Sequence, residues 1–113
     1  MEAETLPEPV TKGLKALSNP VRQAIILYLM KFKRGRTYKQ IYQHIRDSLN
    51  IKRTGAGTLE YHLGTLYEAG LIECVIQSEK GRIVKRYRAT ELSEKLLEAI
   101  LKVYMGSAEC PTR

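Results

Sequence analysis

Cysteine is scarce: Cys74 and Cys110 lie far apart in the 113 residues, and nowhere is there a Cys-x-x-Cys spacing. That excludes a dense disulfide framework and argues against a structural zinc site. Two unpaired thiols remain, or an intracellular disulfide of the kind some thermophile proteins use. Long apolar runs are missing too. No stretch of about eighteen apolar residues occurs, and no basic segment leads into an apolar one at the N-terminus, so neither a membrane span nor a signal peptide is expected. The protein is accordingly expected in the cytoplasm. Internal repeats and low-complexity tracts are absent, and the length suits one domain better than two. An enzyme with a deep cleft is disfavoured at this size.

Acidic residues are the other shortage, with 12 Asp and Glu against 19 Lys and Arg, a formal charge of +7. Glu2, Glu4 and Glu8 are the only charges among the first ten residues, so the remainder is more basic still. Such a field attracts a polyanion: nucleic acid first, with an acidic protein or an anionic membrane as the other possibilities.

The apolar spacing predicts five helices and two short strands, a mainly α fold with a small β-hairpin. Residues 1–9 read as a flexible acidic arm. Val10, Leu14 and Leu17 share one face of a first helix in VTKGLKALS (10–18), and Asn19-Pro20 then forms an N-cap and first-turn proline. The second helix, VRQAIILYLMKF, carries Val21, Ala24, Ile25, Leu27, Tyr28, Leu29 and Phe32 over more than one stripe, which predicts burial on most sides. KRGRT supplies a glycine stop and a threonine cap before YKQIYQHIRDSL (38–49), whose stripe is Ile41, Ile45 and Leu49. After the basic turn NIKRTGAG, a fourth helix from about 57 to 69 turns Leu59, Leu63 and Leu66 inward and stops at Gly70. LIECVIQ (71–77) and RIVKRYRAT (82–90) flank the hairpin signal SEKG. A fifth helix, 91–106, stops at Gly106, leaving 107–113 as a tail. Its Leu92, Leu96, Leu97, Ile100, Leu101, Val103 and Tyr104 are more apolar surface than one small domain needs, which predicts a dimer seam.

Two helices joined by a glycine-bearing turn, followed by a ribbon, are the parts of a winged helix-turn-helix. Opposite the leucine stripe the fourth helix presents Thr58, Tyr61, His62 and Thr65, with Glu60 and Gly64 to one side. In this docking mode the N-terminal residues of such a helix meet base edges in the major groove. Gly57, Thr58, Glu60, Tyr61 and His62 are therefore the candidate readers. Lys31, Lys33, Arg34, Arg36, Lys39, Arg46, Lys52 and Arg53 surround the motif against the single acid Asp47, and the ribbon adds Lys80, Arg82, Lys85, Arg86 and Arg88. The fifth helix is nearly balanced, so positive charge gathers on motif and wing.

LKALSNPVRQAIILYL resembles the opening of the ArsR-type winged helix-turn-helix regulators, GTLEYHLGTLYEAGLIE is similar to their recognition helix, and GRIVKRYRAT to their wing. The resemblance spans roughly 14–90. It implies a domain over 10–90, with Gly57, Thr58, Glu60, Tyr61 and His62 facing the groove. Arg82 and its neighbours Lys80, Lys85 and Arg86 are implied as wing contacts, with Lys52 and Arg53 beside the motif. It also implies a homodimer on a two-fold double-stranded DNA site, built from the first and last helices through Leu14, Leu92, Leu96, Ile100, Val103 and Tyr104. The chain departs from the family where many members sense metals. TYKQIYQHI lacks their Cys-x-Cys, and ELSEKLLEAILKVYM has no histidine.

No metal, cofactor or catalytic site is therefore expected. A metal would have to assemble from His44, His62, Cys74 and Cys110 without supporting spacing, no base is placed to activate a cysteine, and Tyr28 and Tyr87 read as core. Two alternatives to a sequence-specific regulator, and to a repressor in particular, stay open. An architectural DNA binder would rely on phosphates, which suits a reading helix poor in Arg, Asn and Gln. A winged-helix protein-interaction module would present an apolar or mixed face instead.

Overall fold

A computed structural model describes residues 4–49 and 56–109 of the chain. The elements run α1 (Glu8–Ala16), α2 (Pro20–Met30), α3 (Tyr38–Leu49), α4 (Ala56–Glu68), β1 (Ile72–Glu79), β2 (Arg82–Ala89) and α5 (Glu91–Glu109). This is the mainly α fold with a hairpin wing that the periodicity predicts. Boundaries differ where local chemistry is subtle. Helix α1 begins at Glu8, inside the expected acidic arm, because Pro9 suits a first turn and Pro7 O accepts from Val10 and Thr11 N–H. Helix α5 runs through Gly106 to Glu109, so that glycine is not its stop. A lone helical glycine costs only about 1 kcal/mol and ends a helix only where the chain turns left-handed.

The helix starts are set by side chains. Asn19 Oδ1 accepts from Val21 N at 2.8 Å and Arg22 N at 3.3 Å, fixing the start of α2. At α3, Thr37 and Gln40 cap each other: Gln40 N donates to Thr37 Oγ1 at 3.2 Å and Thr37 N to Gln40 Oε1 at 2.9 Å. Gly70, at φ +77°, closes α4 in a Schellman turn, with Leu71 N bonded to Leu66 O at 2.9 Å and Gly70 N to Tyr67 O at 3.0 Å.

The core joins Ile25, Ile26 and Leu29 of α2, Ile41 and Ile45 of α3, and Leu59, Leu63 and Leu66 of α4, with Leu17, Leu71, Ile72 and Leu97 around them. Helix α2 is central, but Leu27 is exposed, so its burial is less complete than its composition suggests. Tyr28 and Tyr87 pack against this core as half-buried members.

Strands β1 and β2 form one antiparallel ribbon, in register from Ile72 opposite Ala89 to Glu79 opposite Arg82. Lys80 (φ +51°) and Gly81 (φ +77°) make its two-residue turn, and two successive positive φ angles match the right-handed strand twist. A third segment clips the ribbon's base: Arg36 and Tyr87 exchange both backbone hydrogen bonds, each 2.8 Å. Gly35 permits that approach, since a Cβ there would lie 2.9 Å from Tyr87 O at a φ of +93°.

Candidate nucleic-acid interface

Helix α4 lies with its leucines in the core and its opposite side in solvent. Thr58, Glu60 and Gly64 are exposed, Thr65 half-buried, and Tyr61 is 68% exposed with no core contact to draw it inward. A Cβ added at Gly64 would meet nothing within 4 Å, so this side of the helix is open to a close partner. Helix α4 starts one residue before the expected Gly57, at Ala56. Lys52 and Arg53 lie outside the described residues.

His62 does not face outward. It is 8% exposed, and its Nδ1 stands 3.1 Å from Arg22 Nη1 of α2. A guanidinium only donates, so Nδ1 is the acceptor and the neutral ring carries its proton on Nε2. Burial, and then the Arg22 charge, hold this histidine below the ordinary imidazole range. The expected outward position fails because residues 59, 62, 63 and 66 fall on one face at helical spacing. Arg22 Nε also donates to Ala16 O at 2.7 Å. Arg22 is the only charged residue in PVRQAIILYLM, and periodicity alone assigns it no role. A lone cation on an otherwise apolar helix is the signal that could have singled it out.

On the wing, Lys80, Arg82 and Lys85 are exposed, whereas Arg86 is engaged. Its Nε and Nη2 donate to Glu79 Oε2 and Oε1 at 3.0 and 3.1 Å, and Nη1 reaches Gly35 O at 3.4 Å. The hydrogen bond from Arg86 holds the Glu79 carboxyl below its ordinary range. Arg86, expected as a wing contact, is thus already paired, because its register puts it on the ribbon face that Glu79 shares. Arg88 is likewise paired with Glu73 at 3.1 Å. Lys85 Nζ lies 5.3 Å from the centre of the Tyr87 ring, and a hydrogen bond to Tyr87 raises its ordinary pKa. The other ribbon face leaves Ile76 and Ile83 exposed at the wing end.

Of the suggested metal ligands, His44 stacks on Tyr28 at 3.9 Å, His62 binds Arg22, and Cys110 lies outside the described residues. Among the described residues no group of three His, Cys, Asp or Glu could hold a metal ion, and no helix is long and apolar enough to cross a membrane.

The suggested dimer residues divide. Leu92 and Leu96 are half-buried against the domain's own core, and Gly13 brings α1 so close to α5 that a Cβ would sit 2.7 Å from Leu96 Cδ1. Leu14 and Ile100 are exposed, and Val103 and Tyr104 are 70% and 69% exposed.

Residues 17–75 match the model of a family described as a helix-turn-helix domain. No curated protein sequence matches the chain. Among solved structures, the chain is similar to the transcriptional repressor BigR from Xylella fastidiosa: 24% identity, TM-score 0.56, 91% of this chain and 89% of that one covered. It is also similar to a putative transcriptional regulator of the MarR family from Porphyromonas gingivalis W83: 22% identity, TM-score 0.59, 98% and 100% covered. A third is a transcriptional regulator homologue from Pyrococcus horikoshii OT3: 21% identity, TM-score 0.58, 92% and 100% covered. At these identities the likeness is one of fold, the winged helix-turn-helix.

Proposed function

Because the chain belongs to the helix-turn-helix domain family, we propose that it is a DNA-binding transcriptional regulator of the ArsR type. In this reading it is a repressor that acts as a homodimer on a two-fold site. Helix α4 enters the major groove with Thr58, Glu60 and Tyr61 toward the bases, and Gly57 and Gly64 let its backbone come close. Lys80, Arg82 and Lys85 meet phosphates or the minor groove, with Lys52 and Arg53 beside the first turn. The domain spans 10–90, and α5 joins two copies through Ile100, Val103 and Tyr104. What carries the reading is the outward strip Thr58–Glu60–Tyr61 on a helix pinned by leucines, next to a wing whose end bears exposed cations. That the similar BigR protein is a transcriptional repressor lends support to the sign of regulation.

An architectural role is the second reading, favoured by a reading strip without Arg, Asn or Gln. Selection of bound duplexes from random DNA separates the cases. An enriched motif with two-fold symmetry is the expected result. Salt-sensitive binding without a motif supports the architectural role, and no binding at low salt leaves a protein-interaction module.

A further inference from the structure

Three helices meet at one guanidinium. Arg22, in the first turn of α2, gives Nε to the Ala16 carbonyl at the C-terminal end of α1 and Nη1 to Nδ1 of His62 in the middle of α4. Helix α1 is in turn seated on α5 where Gly13 meets Leu96. The chain of contacts therefore runs from the helix that carries the exposed apolar seam to the helix proposed to read DNA. One directional hydrogen bond from the planar fork to His62 adds an orientational constraint on α4 to that of its packed leucines, and the second ties the same fork to α1.

Resting on the DNA-binding reading above, we infer that Arg22 is a positioning residue for α4, and that binding of DNA requires His62 in its neutral, hydrogen-bond-accepting form. A protonated His62 has no acceptor for Arg22, and two cations then face each other in a buried site. The reading helix loses its tie to α1, and Tyr61, whose ring lies 5.8 Å from that of His62, moves with it. The charged groups around the pair are few. Lys12 and Lys15 of α1 and Glu68 of α4 line a groove of about 450 Å³ that opens over Arg22, and burial and Arg22 itself dominate the electrostatics of His62. Nothing on α1 or α2 stands ready to neutralise an imidazolium.

The pH dependence expected of DNA binding is opposite in sign to simple electrostatics. Acidification makes the protein more positive and would tighten binding to a polyanion. Loss of the Arg22–His62 bond weakens it instead.

The test uses the full chain and a labelled duplex carrying the selected sequence, titrated at constant ionic strength from about pH 8 to about pH 5.5, across the range where an imidazole gains its proton. The native protein is expected to lose affinity progressively below about pH 6.5, by less than about tenfold at the acid end, since burial holds His62 under the ordinary imidazole range. His62→Gln, whose side-chain carbonyl can still accept from Arg22, is expected to show no acid loss, its affinity at the lower pH matching its own at the upper pH. Arg22→Met is expected to bind weakly at every pH. Should that variant not fold, the double variant Arg22→Met/His62→Leu, which leaves no unpaired imidazole and strands only the Ala16 carbonyl, is expected to fold and still bind weakly. Native binding that tightens on acidification, or an acid loss that survives in His62→Gln, overturns the inference while leaving the DNA-binding reading in place. No binding at the upper pH overturns both.

Discussion

Arg86 grips Glu79 with two parallel hydrogen bonds, of 3.0 and 3.1 Å, on the wing face that turns toward Gly35. A cation so engaged exchanges one anionic partner for another when it meets a phosphate, and releases few counterions. Arg82, exposed beside the turn, has no such partner among the described residues. Arg82→Ala is therefore expected to lower the slope of log K against log salt by about one. Arg86→Ala should leave that slope nearly unchanged, as read in the same fluorescence titration series.

The leucine face of α4 carries stability, and its polar face does not. Leu63, buried in the core, is expected to cost about 2 to 5 kcal/mol on replacement by Ala, against about 0.5 kcal/mol or less for Thr58→Ala. Urea unfolding of both variants measures the difference, and equal small effects would reverse the assignment of faces.

Because Leu97 is buried and Leu92 and Leu96 pack on the core, cutting the chain after Thr90 would damage the monomer as well as any dimer. Substitution beyond the core is the cleaner probe. If α5 joins two copies as proposed, Val103→Glu with Tyr104→Glu should convert that dimer to a monomer in sedimentation equilibrium, because each charge would be buried where the copies meet. The same variant, measured as a monomer, should keep the native helix content.

Gly35→Ala combines a positive φ with a Cβ 2.9 Å from Tyr87 O. A loss of more than about 1 kcal/mol in unfolding free energy is expected, with the wing's amide protection falling first in hydrogen exchange.

Both histidines have folded-state pKa values below the ordinary one, His44 and His62 alike chiefly through burial. The unfolded chain then binds more protons than the folded one, so stability is fully present above about pH 6.5 and declines as pH falls below it. Thermal melts should show the midpoint dropping over that range, and His62→Gln should remove part of the drop.

Much of this molecule is written in periodicity and punctuation. Asn19-Pro20, the leucines at 59, 63 and 66, Gly70 and the hairpin signal each act within a few residues of themselves, and each appears in the structure where its chemistry requires it. What escaped are relationships across the chain. Arg22 and His62 are 40 positions apart, and a histidine among polar neighbours reads as outward until the whole wheel of α4 is fixed by packing. The engagement of Arg86 depends on strand register, which a run of charges does not disclose. Gly106 shows the reverse case, a local signal with no turn in the chain to make use of it.

The clip between Arg36 and Tyr87 has a kinetic corollary. Held at its base by two backbone hydrogen bonds, the wing has a fixed attitude without a partner, so its proposed use on DNA would not require the wing to order itself first. Less conformational freedom is surrendered on association, and the encounter can proceed at a rate set by diffusion and charge attraction. Loosening that clip is then expected to slow arrival on the duplex, rather than merely hasten departure from it.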